Sequence, residues 1–194
     1  MSQLFSTQLY QIPKDRFASI RIVALDLDGT LQTTNHCITS RTIHSIKQLS
    51  NFGVNVILAT GKTYFAGEYV RKQLGIASPS VHVQGLQVYD SAGKIISVSF
   101  LNPSLATEAL NIIQERQIDV IAYSDNRIIA TKRNEWTSSV EKFGEPTIQI
   151  VENLVVHRIH KVLAIASVQK ITILRAHLAK IFDGRATVVQ SNLG

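Results

Sequence analysis

The stretch Ile22-Val23-Ala24-Leu25-Asp26-Leu27-Asp28-Gly29-Thr30-Leu31 restricts this chain more than any other. An apolar run rich in β-formers leads directly into two aspartates spaced one apart, and then a glycine. The run is too short for a helix before the glycine and reads as a buried parallel strand. Alternation turns Asp26 and Asp28 to one side, and Gly29 allows a sharp exit that leaves both at the carboxyl end of the strand. Ligands bind at that end of open α/β sheets. Two carboxylates held together there repel one another and demand a cation; Mg²⁺ is the hard ion that takes a few carboxylates together with phosphate oxygens. The competing reading is a strand that ends in an acidic surface turn, where Asp and Gly are common. Against it, the aspartates follow the apolar run with no polar spacer, and unpaired charge is costly to bury.

A length of 194 residues suits one or two domains, and 45% hydrophobic residues are enough for a core. No apolar run approaches the ~18 residues of a membrane span, so no membrane partner is expected. The single cysteine, Cys37, excludes an intrachain disulfide and fits a reducing cytoplasm. A net charge of +6 suits an anionic substrate. The basic residues are scattered rather than clustered with aromatics, so no nucleic-acid partner is expected.

Residues 1–19 contain Pro13, show no clean period and lack the apolar core of a secretory signal; they read as a leader. After Leu31 a polar turn precedes a helix capped by Thr39 or Ser40, with Ile43, Ile46 and Leu49 on its apolar face and Gly53 at its end. Val54 to Ala59 is a second buried strand, which ends in Thr60-Gly61-Lys62. A helix bearing Phe65, Tyr69, Val70 and Leu74 follows. If the two strands are neighbours, Thr60 lies beside Asp26. Its hydroxyl could then hold a phosphate oxygen, with Lys62 adding charge; the plainer alternative is an ordinary helix cap. A third strand, Val81 to Val83, ends at Gln84-Gly85, and a hairpin turns at Asp90 to Gly93.

From Asn102-Pro103, a helix start signal, the pattern changes. The chain continues with a hairpin around Ser124-Asp125-Asn126 and a short helix marked by Trp136, Val140 and Phe143. Strands at Thr147 to Val151 and His160 to Ala166 follow. An amphipathic helix from Val168 to Phe182 and a last strand from Ala186 to Gln190 complete it. This α+β pattern reads as a second domain inserted after the third core strand. His157, His160 and His177 invite a metal reading, but scattered surface histidines are the simpler account. The hairpin tip at Asp125 and Asn126 is a place to look for substrate contacts.

The hexapeptide Asp26-Leu27-Asp28-Gly29-Thr30-Leu31 resembles the first motif of the haloacid dehalogenase superfamily of phosphohydrolases, and Thr60-Gly61-Lys62 resembles its second. The order of elements is similar to the Cof-like capped branch. That branch usually has Arg where Lys62 stands and Asn where Gln84 stands. The resemblance implies an α/β fold. Its parts are a leader at 1–19, a partial Rossmann-like core with a truncated parallel sheet at 20–101, and an inserted α+β cap at 102–191. It further implies that Asp26 is a nucleophile and Asp28 a general acid/base, and that both hold Mg²⁺. Thr60, Gly61, Lys62, Gln84 and Gly85 would contact substrate. Family members continue into a further core segment with a lysine and an acidic loop. Here Val188 to Gly194 looks like the last cap strand, the segment is absent, and Lys161 sits too early to stand in. The implied function is Mg²⁺-dependent hydrolysis of a phosphate monoester, such as a sugar phosphate, through an aspartyl-phosphate. The alternative is a non-catalytic remnant that acts as a binding module. Without the further segment, Ile20 to Leu25 becomes an apolar sheet edge that pairs with a second copy, aggregates or is covered by the leader.

Overall fold

The computed structural model describes residues 19–191; the expected leader, Ser19 apart, lies outside them, as do residues 192–194. Strand β1 (Ile22–Leu25) forms as expected but is not buried, because among the described residues it lies at an edge of its sheet, with Ile22 57% exposed. It stops at Leu25, so the two aspartates belong to the loop that follows rather than to the strand. In that loop the Leu27 carbonyl accepts from the amides of Leu31 and Gln32, and the Gly29 amide donates to the Gln32 carbonyl. Gly29 takes a φ of 72°, the left-handed conformation that a tight reversal needs. Leu27 is fully buried between two exposed aspartates, so the in-and-out alternation read from the sequence survives past the end of the strand.

Helix α1 (Ser40–Asn51) begins at Thr39, whose hydroxyl accepts from the Thr42 amide. Strand β2 (Asn55–Ala59) and helix α2 (Tyr64–Leu74) follow, α2 capped by Thr63 and closed by a left-handed Gly75. Of the apolar residues that mark α2 in the sequence, Phe65 and Tyr69 are exposed. The stripe facing the sheet is Ala66, Gly67, Val70, Arg71 and Leu74, and a helix on a sheet buries only one stripe. Strands β3 (Ser80–His82), β4 (Gln87–Tyr89) and β5 (Ile95–Val98) complete a sheet of order β1-β2-β3-β4-β5. Its first three strands are parallel and the rest antiparallel. Ile46 of α1 and Val70 and Leu74 of α2 pack with Leu27, Leu31, Val56 and Leu58 as one core.

Helix α3 (Pro103–Glu115) starts at Asn102 with Pro in the first turn, as the sequence indicates. Strands β6 (Asp119–Ser124), β7 (Arg127–Ala130), β8 (Gln149–Ile150) and β9 (Lys161–Ile165) form a second sheet of order β8-β7-β6-β9. A 3₁₀ segment, Thr137–Phe143, lies between β7 and β8, and helix α4 (Val168–Ile181) follows β9. Helices α3 and α4 bury Leu110, Ile113, Leu174 and Leu178 against Val120, Ala122 and Ile129. The expected last strand at Ala186 to Gln190 does not form. Ala186 and Val188 pack onto the α3/α4 core from an irregular segment, which leaves β9 as the sheet edge.

The two sheets meet through buried polar contacts. Gln87 Nε2 donates to the Asp125 carbonyl at 2.6 Å and lies 3.0 Å from His160 Nε2. His160 Nδ1 donates to the Ser99 carbonyl at 2.6 Å, which leaves Nε2 as the acceptor for Gln87. His160 is therefore a buried joint residue, not a surface histidine. The Asp125-Asn126 tip docks here, where Asn126 accepts from the Tyr89 hydroxyl, rather than over the aspartate loop.

Candidate active site

The parallel register brings the site together. Leu25 pairs with Leu58, and Leu58 and Ala59 pair with Ser80 and Val81, so the loops after β1, β2 and β3 leave side by side at one carboxyl edge. Asp26 Oδ1 accepts from the Leu27 amide at 2.7 Å, which fixes that carboxylate against its own loop. Asp28 Oδ1 lies 3.0 Å from Lys62 Nζ and 3.6 Å from His36 Nδ1. Each aspartate keeps its second oxygen without a partner among the described residues.

Thr60 is buried at the end of β2, where its amide donates to the Val81 carbonyl. Its hydroxyl oxygen accepts from the Lys62 amide at 3.2 Å, so the hydroxyl proton points elsewhere. Thr60 is therefore not the helix cap that the plainer reading made it, since Thr63 caps α2. Lys62 is nearly buried, and besides Asp28 it donates to the Phe143 carbonyl at 2.5 Å. A side chain expected to face substrate thus ties the aspartate loop to the second sheet's 3₁₀ segment. Gln84 sits in the left-handed region, φ 54° and ψ 40°, a conformation costly for a non-glycine residue. Its amide lies over Gly61 so closely that a Cβ there would come within 3.0 Å of Nε2. Gly85 follows with a φ of 92° and open space where a side chain would be.

Three residues at this edge were not foreseen as site residues. His36 approaches Asp28 and meets Phe143 edge to face. Glu145 accepts from the Thr63 amide at 3.2 Å, the Thr63 hydroxyl at 2.6 Å and the Tyr123 hydroxyl at 3.3 Å. A carboxylate thereby caps the start of α2, where a helix favours negative charge. Lys161 donates to Gln84 Oε1 at 3.1 Å with its ammonium 3.9 Å above the Tyr123 ring. Lys161, which sits too early in the chain to stand in for the family's lysine, still reaches the loop edge because β9 pairs with β6, and there it bonds Gln84 rather than either aspartate. Burial pulls its pKa down to about 8. No sequence spacing signalled these contacts, which join positions roughly 80 residues apart.

Two aspartates, a hydroxyl, a glycine and a lysine at the carboxyl edge of a parallel sheet can handle an anion and transfer a proton. A model of the haloacid dehalogenase-like hydrolase family matches residues 23–194. The chain belongs to this family. A relative from Arabidopsis thaliana, a chloroplastic endoribonuclease YBEY, is 25% identical over 86% of this chain and 31% of its own length. An HMP-PP phosphatase of Serratia proteamaculans is 33% identical over 47% of this chain and 33% of its own. Among solved structures, a haloacid dehalogenase-like hydrolase from Bacteroides thetaiotaomicron superposes with a TM-score of 0.80 at 15% identity. That match covers 89% of this chain and 68% of the other. The chain thus spans about a third of the length of these two curated relatives, and it shares the Cof-like α/β fold of the family.

Proposed function

We propose that the loops after β1, β2 and β3 form the active site of a Mg²⁺-dependent phosphomonoester hydrolase that acts on a small phosphorylated metabolite, such as a sugar phosphate. The observation that carries this reading is the convergence of Asp26, Asp28, Thr60 and Lys62 at one sheet edge, with Lys62 Nζ 3.0 Å from Asp28. The family match and the name of the Serratia relative support a phosphorylated organic substrate. In this reading residues 20–101 are the core and 102–191 the cap. The exposed β1 edge is an association surface for a second copy, and the chain works in the cytoplasm.

Asp26, held through Oδ1 by the Leu27 amide, attacks phosphorus with its free oxygen. The bond from phosphorus to the ester oxygen breaks, and Asp28 delivers a proton to that oxygen. Asp28 then takes a proton from water, which attacks phosphorus and releases Asp26 and inorganic phosphate. The Thr60 hydroxyl, free to donate, and the Gly61 amide hold phosphate oxygens. Gln84 and Gly85 line the rim. The Asp26 and Asp28 carboxylates are hard donors that suit Mg²⁺ and would hold it while leaving clear the oxygen of Asp26 that attacks and the oxygen of Asp28 that carries the proton. When bound, the ion offsets the repulsion between carboxylate and phosphate.

The test is turnover of an alkyl phosphate with and without Mg²⁺. Activity that vanishes on chelation and in Asp26→Asn is expected, whereas undiminished turnover by Asp26→Asn ends the nucleophile assignment. One observation favours a second reading, a phosphate-binding module without turnover. Among the described residues no third His, Cys, Asp or Glu joins the two aspartates in a metal-holding cluster. Phosphate binding with no turnover under any metal condition would establish that reading.

A further inference from the structure

Most charged side chains at the site edge are already engaged. Lys62 is paired with Asp28, and Glu145 is taken up by Thr63 and the Tyr123 hydroxyl. Lys161 differs. The β6–β9 register sets it directly beside Tyr123, so the ammonium lies on the ring and reaches the Gln84 amide oxygen. Gln84 in turn rests on Gly61, and its backbone amide donates to the Thr60 carbonyl, which places the ammonium against the phosphate-holding loop. A neutral amide and a ring face are weaker partners for an ammonium than a carboxylate. Among the described residues no acid forms an ion pair with it; Glu145 is the nearest influence and acts from a distance. The charge is partly desolvated and uncommitted, and an anion at that spot would complete it.

We propose that Lys161 is a substrate-contacting residue that binds a second anionic group, a carboxylate or a further phosphate, carried by the phosphorylated substrate. The proposal rests on the active-site reading above and narrows its substrate class to phosphate esters with two anionic groups. Burial holds the lysine near a pKa of about 8, and Glu145 and the Tyr123 hydroxyl are the titratable groups that face it. Recognition of the second anion is therefore present at neutral pH and fades as the pH rises past 8, when the ammonium deprotonates.

Calorimetric titration of the full chain tests this with matched pairs: 3-phosphoglycerate against glycerol 3-phosphate, and methyl diphosphate against methyl phosphate. The doubly anionic member of at least one pair should bind about tenfold more tightly at neutral pH, the worth of one charge-assisted hydrogen bond. The pair that shows the preference identifies the second anion as carboxylate or phosphate. The preference should collapse toward unity well above pH 8 and in Lys161→Met, and persist in Lys161→Arg. The pH arm needs no variant and stands even if Lys161→Met misfolds. Binding of methyl phosphate and glycerol 3-phosphate with no preference for either doubly anionic partner would overturn this proposal and leave the active-site reading intact. A preference that survives both high pH and Lys161→Met would also overturn it. A folded chain that binds none of the four overturns both.

Discussion

His82 should make the fold acid-sensitive. Its ring is fully buried, edge-on to Tyr64 at 5.3 Å and Tyr89 at 5.6 Å, with Gly67 of α2 pressed so close that a Cβ there would meet Cε1 at 2.4 Å. Nε2 bonds Ser80 Oγ at 3.0 Å, and Nδ1 has no partner among the described residues. Burial lowers its pKa from 6.5 to about 4. Between those values the unfolded chain binds a proton that the folded one refuses, so stability is full above 6.5 and falls as the pH drops toward 4. At ~1.4 kcal/mol per pH unit, that gap amounts to roughly 3 kcal/mol. The next residue, Val83, donates its amide to the Lys62 carbonyl, so loss of this packing also loosens the Thr60–Lys62 loop. Urea unfolding across this pH range should show that loss in the wild type and not in His82→Gln, and an NMR titration should place the ring pKa near 4. A ring that titrates near 6.5, or equal pH slopes for both proteins, would refute the reasoning.

Three further outcomes follow from the contacts between and around the sheets. Gln87→Leu leaves the Asp125 carbonyl and His160 Nε2 without their donor in a buried joint, and thermal unfolding should report a loss of about 1–3 kcal/mol. Glu145→Gln replaces charge-assisted bonds at the start of α2 on a partly exposed side chain. It should cost about 1 kcal/mol and speed amide exchange at Thr63. The β1 edge, with Ile20 and Ile22 exposed, should pair or aggregate, detectable by light scattering; a monomer with strongly protected β1 amides contradicts this.

What the sequence revealed and what it hid separate along a physical line. Local signals were readable. Thr39 and Asn102 cap their helices, and the parallel β1–β2 ladder sets Asp26 and Thr60 at neighbouring strand ends. Which stripe of α2 meets the sheet was not legible, because Phe65 and Tyr69 share the same four-residue spacing as Val70 and Leu74, and periodicity alone does not separate the two. The irregular Ala186 to Gln190 segment was misread because apolar residues can reach a core without pairing in a sheet. Lys161, Glu145 and His160 were hidden for a different reason. Each acts through a contact between the two sheets, and strand order across that joint leaves no local trace.

The central claim is that Asp26 accepts the phosphoryl group, and its most direct test is to find that group on the side chain. The chain is mixed with a phosphate ester and Mg²⁺, quenched in acid, and digested for peptide mass spectrometry. A phosphorylated peptide whose modification maps to Asp26, and which is missing in Asp26→Asn, is the expected result. Hydrolysis that proceeds with no phosphate on Asp26 at any quench time, or with phosphate trapped on another residue, would contradict it.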